Sequence, residues 1–135
     1  MDPASLILQV AEKLWGLRNE LSRVRRDRRD RVADYFTTIG ACLRDVAASL
    51  RNDVIPHGKC AEMEVYASRL AETVGEAIGN QVAEEQAAML REAHQVEWLL
   101  SELDPGHPER EMRLAKIERA SGIFDALAAT IRAAR

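Results

Sequence analysis

The chain has 135 residues, a net charge of −3, seven Gly, four Pro and few aromatic residues. That length allows a single domain, 1–135, with a core of its own. A composition led by Ala, Leu, Arg and Glu favours helix and disfavours sheet. Two cysteines, Cys42 and Cys60, are too few for a disulfide framework in a domain of this size and suit a reducing compartment.

Asp2-Pro3 predicts a helix start, because Asp caps free N–H groups and Pro fits the first turn. Ile7, Val10, Leu14, Leu17, Leu21 and Val24 then recur at three- and four-residue steps, one helical face. Leu6, Leu8, Ala11 and Trp15 widen that face. The run does not read as a secretory signal, since Asp2 replaces a basic start and no small-residue cleavage site follows. Nor does it read as a conventional membrane span. It is about 14 residues long and holds Glu12 and Lys13, where spanning needs about 20 apolar residues.

From Arg18 to Arg31 the chain carries seven arginines and three acids. Residues 1–31 hold eight Lys/Arg against five Asp/Glu, so a basic arm precedes an acidic body. Arg28 and Arg31 fall on apolar positions of the first stripe, which restarts in a new register at Val32, then Tyr35 or Phe36, Ile39, Leu43, Val46 and Leu50. With no Pro or turn cluster between, the reading is one long N-terminal helix to about Leu50, Gly16 being tolerated within it.

Pro56 and Gly58 end that helix. A second helix places Met63, Tyr66, Leu70, Val74 and Ile78 on one face and closes at Gly79-Asn80. A third turns Val82, Met89, Ala93, Val96, Leu100 and Leu103 inward and stops at Asp104-Pro105-Gly106. A fourth, from about Pro108, turns Ile117, Ala120, Phe124, Leu127 and Ile131 inward. The expected fold class is therefore all-α, a four-helix bundle with a long N-terminal helix. Residues 1–31 form a segment that could be released, and 32–135 the bundle body. The last helix has no stop signal, which suggests the N-terminal domain of a longer protein, with a frayed natural end as the alternative.

No residue pattern supports catalysis: there is no phosphate loop, nucleophile elbow or metalloprotease helix. His57-x-x-Cys60 with Cys42 and His94 or His107 lacks zinc-site spacing, and Glu84, Glu85, Glu92 and Glu97 lack the paired His of a di-iron bundle. The expectation is no enzyme, no metal, no cofactor and no small-molecule substrate. The arginine cluster admits three readings. It is a solvated segment with Asp27–Arg31 and Arg23–Asp27 pairs, a nucleic-acid contact, or a contact with anionic lipid headgroups. The apolar start also stays open between docked core, the seam of a homo-oligomer and a membrane-interacting helix. An apolar face, a Trp and adjacent basic residues together describe the last.

Met1-Asp2-Pro3 followed by Ala4-Ser5-Leu6-Ile7-Leu8-Gln9-Val10-Ala11 resembles the start of HeLo-type domains, the membrane-attacking helical bundles of fungal cell-death proteins. Arg28-Arg29-Asp30-Arg31-Val32-Ala33-Asp34-Tyr35-Phe36, with Pro56-His57-Gly58-x-Cys60, is similar to their bacterial counterparts, the Bell domains. The resemblance implies a four-helix executioner ahead of a C-terminal amyloid signalling motif, which an upstream sensor templates. The bundles then oligomerise, and the first helix leaves its bundle and inserts into the membrane. Carried onto this chain, the membrane-inserting residues are Leu6, Ile7, Leu8, Val10, Ala11, Leu14, Trp15 and Leu17. Arg18, Arg23, Arg25, Arg26 and Arg29 contact anionic headgroups.

The expectation is thus a pore- or lesion-forming effector domain of a bacterial programmed cell death or antiphage system. It would be cytoplasmic at rest and at the inner face of the cell membrane when active. The alternative is a soluble helical adaptor that homo-oligomerises through its first helix, and the third option is nucleic-acid binding through Arg18 to Arg31.

Overall fold

The apolar stripe of residues 32–50 finds its partner at the far end of the chain. In the computed structural model, which describes residues 2–93, 106 and 108–134, helix α3 (Arg26–Arg51) packs along helix α6 (Pro108–Ala133). Val32, Phe36, Ile39, Leu43, Val46 and Leu50 of α3 are all buried, as are Ile117, Ala120, Phe124, Leu127 and Ile131 of α6. The Phe36 and Phe124 rings stack with centroids 5.9 Å apart. Gly40 lets the two backbones close up: Ser121 donates its buried hydroxyl to the Gly40 carbonyl at 2.7 Å. A Cβ on Gly40 would lie 3.2 Å from the Ser121 carbonyl and 2.5 Å from an Asp125 carboxylate oxygen.

The pair is antiparallel, and ion pairs edge it from end to end. Arg132 meets Asp34 at 2.5 Å, Arg44 meets Asp125, and Arg51 meets both Glu111, at 2.9 Å, and Glu118. Arg110 bonds the Leu50 carbonyl and the Asp53 carboxylate, closing the C-terminal end of α3. These exposed pairs each contribute about 0–1 kcal/mol. They fix register more than they hold the helices together, which the buried side chains do.

Before this pair come α1 (Pro3–Gly16) and the single turn α2 (Arg18–Leu21); between its members lie α4 (His57–Ile78) and α5 (Asn80–Glu92). The described residues are all-helical, with six helices. The expected single helix from Asp2 to Leu50 is instead broken twice. Gly16, a weak helix former, ends α1, and Leu17 leaves helical geometry. After α2 the Ser22 hydroxyl turns back onto the Arg18 carbonyl at 2.7 Å, and Arg25 is extended, with φ −52° and ψ 143°. The physical reason is the register conflict. A straight helix would carry Arg28 and Arg31 onto the core face, whereas the break re-aims the chain so that Val32 and Phe36 enter it.

The breaks near Pro56 and at Gly79 fall as expected. Gly79 has φ +91°, open to glycine at little cost, and the missing Cβ of Gly75 makes room for the Asn80 side chain. Ala93, just past the end of α5, is buried as expected, but the rest of the face differs. Ala83, Gln86, Ala87 and Leu90 are buried, while Val82 and Met89 are half-buried. The expected continuation through Val96, Leu100 and Leu103 lies outside the described residues.

Two glycine substitutions separate close packing from simple propensity. Gly40→Val should destabilise the fold by about 1–3 kcal/mol, because the Ser121 backbone must move. Gly16→Ala has open space around it and should stabilise by up to about 1 kcal/mol. Urea titration followed by circular dichroism reads both.

Candidate functional site: the first helix and the arginine turn

The apolar face of α1 is spent within the chain. Ala4, Ile7, Val10, Ala11 and Leu14 are buried, and α1 lies against α6 and, over a smaller area, α5. Leu21 of α2 is also buried. One continuous core runs from Ala4 to Ile131, so the first segment belongs to it and is not an arm outside it. Among the expected membrane-inserting residues, Ile7, Val10, Ala11 and Leu14 are buried, and Leu6, Leu8, Trp15 and Leu17 are half-buried. Gln9, Glu12 and Lys13 form the exposed side.

Both ends of α1 are pinned by polar contacts. At the start, Asp2 accepts the Ser5 N–H at 3.0 Å and the Ser5 hydroxyl at 2.8 Å, while Lys116 of α6 donates to that hydroxyl at 2.7 Å. Burial alone would push the Asp2 carboxyl up. The Ser5 hydrogen bonds and the positive charges of Lys116 and Arg113 outweigh it, so Asp2 titrates below the ordinary carboxylate value. At the other end Arg18 lies over the Trp15 ring, 4.8 Å from its centroid, and donates to the Trp15 carbonyl at 3.0 Å. Trp15 also walls an open groove of about 390 Å³ with Glu12, Arg119, Gly122, Ile123 and Ala126.

The arginines separate into two sets. Arg18 is committed to Trp15. Arg29 is half-buried and donates to the Ala134 carbonyl at 2.6 Å, a cation at the C-terminal end of α6. Its Nε is buried with no partner among the described residues. Arg23, Arg25 and Arg26 are exposed. Asp27 pairs with Arg25 at 3.8 Å; of the pairs expected from helical spacing, Arg23–Asp27 is severed by the break at Arg25, whereas Asp27 and Arg31 both lie within α3.

Sequence reasoning missed what the break builds. Arg23, Val24, Arg25 and Arg28 face Thr73, Glu76 and Ala77 of α4 across a cleft of about 120 Å³, and Arg28 pairs with Glu76. The available signal was Arg28 itself, a charge on an apolar stripe position. The cysteines carry no such geometry. Cys42 is buried, its thiol directed at the Lys59 carbonyl at 3.4 Å and pushed up to about 11, mainly by burial. Among the described residues no three His, Cys, Asp or Glu side chains are grouped to hold a metal, and His94, His107 and Glu97 lie outside them.

Comparisons with protein-family models, curated proteins and solved structures gave no match to this chain.

The Asp2 contact gives a pH signature. A carboxyl with a lowered folded-state pKa contributes stability that is complete above its unfolded value, about 3.9, and is lost as pH falls through the folded value. Asp2→Ala should remove that contribution, costing about 1 kcal/mol at pH 7, and the difference from the parent chain should shrink as pH falls through the lowered Asp2 value. Urea midpoints of both chains across pH 2–7 check this.

Proposed function

We propose that this chain is a membrane-targeting, pore- or lesion-forming effector domain of a bacterial programmed cell death or antiphage system, activated by oligomerisation. The observation that carries the reading is a juxtaposition. An apolar helix, α1, lies docked on α6, and a twice-broken connector with exposed Arg23, Arg25 and Arg26 joins it to α3. A break of this kind lets α1 move without unwinding α3. The resemblance to Bell and HeLo-type domains supports the same reading.

The dimensions restrict how such a helix could act. At about 1.5 Å per residue, the 14 residues of α1 fall short of a hydrocarbon core of about 30 Å. No described helix is long and apolar enough to cross a membrane. In the proposed active state α1 therefore lies in the headgroup boundary. Leu6, Ile7, Leu8, Val10, Ala11, Leu14 and Leu17 enter the lipid, Trp15 sits at the interface, and Glu12 and Lys13 stay wet. Arg23, Arg25 and Arg26 meet anionic headgroups at once; Arg18 and Arg29 do so only after leaving Trp15 and Ala134. In this reading the protein is cytoplasmic at rest and acts on the inner face of the membrane, after a sensor engages a C-terminal motif.

The adaptor reading requires Ile7, Val10, Leu14, Leu17, Leu21 and Val24 as a seam between copies; Ile7, Val10, Leu14 and Leu21 are buried and Leu17 and Val24 half-buried within one chain, so it too requires the first helix to leave its present contacts. Vesicle dye release is the test of the membrane reading. Chemically oligomerised protein should empty vesicles containing anionic lipid and spare purely zwitterionic ones, with Leu14→Glu inactive. No release from anionic vesicles by either the oligomerised or the monomeric sample would sink the reading.

A further inference from the structure

The geometry points to the cleft between the arginine turn and α4 as a binding site for a phosphate monoester group. Its rim brings together Arg23 and Arg25 from the connector, Arg28 from the first turn of α3, and Glu76 from α4. With Glu76 displaced from Arg28, the three guanidiniums and the Asp27 carboxylate beside Arg25 leave two positive charges, matching the charge of about −1.5 to −2 on a phosphate monoester at pH 7 better than the single charge of a diester. Guanidinium forks pair with phosphate oxygens in a bidentate way that a diffuse surface charge cannot reproduce.

The occupancy of each side chain favours an anion. Arg23 makes no ion pair among the described residues. Arg25 holds Asp27 only at 3.8 Å, with both side chains largely exposed. Arg28 is the anchored member, its side chain 24% exposed and paired with Glu76, which is 61% exposed and free to swing into solvent. An incoming phosphate would replace Glu76 on Arg28 and add Arg23 and Arg25. Thr73 donates its hydroxyl to the Arg69 carbonyl at 2.8 Å and so serves as wall. The cleft, about 120 Å³ and open to solvent along its mouth, has room for a phosphate group.

The phosphate could come from a lipid headgroup or from a soluble metabolite, and only the lipid source rests on the membrane reading. Thermal unfolding of the intact chain in inorganic phosphate, against chloride at equal ionic strength, tests the site. Phosphate should raise the Tm of the parent chain by more than it raises that of Arg23→Gln/Arg25→Gln, the excess over its general stabilising effect on folded chains. Arg23→Gln/Arg25→Gln should weaken phosphate binding by about tenfold or more. Arg31→Gln/Arg119→Gln, exposed and outside the cleft, should leave it unchanged. Glu76→Gln should tighten it, a gain that misfolding cannot imitate. Equal Tm in phosphate and chloride, or equal losses in both double variants, overturns the proposal whatever the vesicles do.

Co-sedimentation with phosphatidic acid and phosphatidylglycerol vesicles of equal surface charge then identifies the source. A preference for phosphatidic acid that the Arg23/Arg25 variant loses assigns the site to a lipid headgroup. Phosphate stabilisation without that preference assigns it to a soluble phosphate. Phosphate stabilisation that the Arg23/Arg25 variant loses, together with failed dye release, upholds the cleft and removes the membrane reading.

Discussion

Helix α6 buries Leu114, Ile117, Ala120, Ser121, Phe124, Leu127, Ala128 and Ile131, a band too wide for one neighbour to cover. α3 covers one side of it, with Phe36 against Phe124 and Gly40 against Ser121. α1 covers another, with Lys116 reaching across to Ser5. Without α1, part of that band would face water at about 25 cal/mol for each Å² of apolar surface. The docking of α1 is therefore a requirement of the closed bundle, and it sets the cost of any state in which α1 leaves.

The same demand explains the connector. α1 and α3 both deliver apolar stripes to the core, but in registers that a straight helix cannot reconcile across Arg28 and Arg31. The chain resolves this at Gly16–Leu17 and Ser22–Arg25. The polar residues left at the second break do separate work. Arg28 turns to Glu76 and Arg29 to the end of α6, while Arg23, Arg25 and Arg26 stay in solvent. A break that began as a packing necessity thus concentrates positive charge beside the helix whose apolar face is the chain's main candidate for lipid contact. The groups that hold the fold and those that the proposed function assigns to lipid lie together at residues 17–31, so substitutions there call for stability to be measured alongside.

Strong apolar periodicity made α3, α4 and α6 legible in the sequence. Val32 to Leu50, Met63 to Val74 and Ile117 to Ile131 name their own buried faces. α5 was less legible because its buried side consists of Ala83, Ala87, Leu90 and a polar residue, Gln86. Hydropathy pointed instead to Val82 and Met89, one position away. The breaks in the first fifty residues escaped because neither carries Pro or a turn cluster; Gly16 marked the first and the change of register the second. The cleft escaped because Arg28 and Glu76 stand 48 residues apart, a pairing no local pattern encodes. The apolar start was recognised as one face of a helix, but periodicity could not say whether lipid, a second copy or α6 would cover it.

The account stands on α1 being a docked helix that opens separately from the α3–α6 pair. Native-state hydrogen exchange measures that directly. Amides of Val10, Ala11 and Leu14 should exchange through a local opening at least roughly 2 kcal/mol below that of α3 and α6, and vesicles containing anionic lipid should lower it further. Exchange of those α1 amides only through global unfolding, with and without such vesicles, would contradict the account.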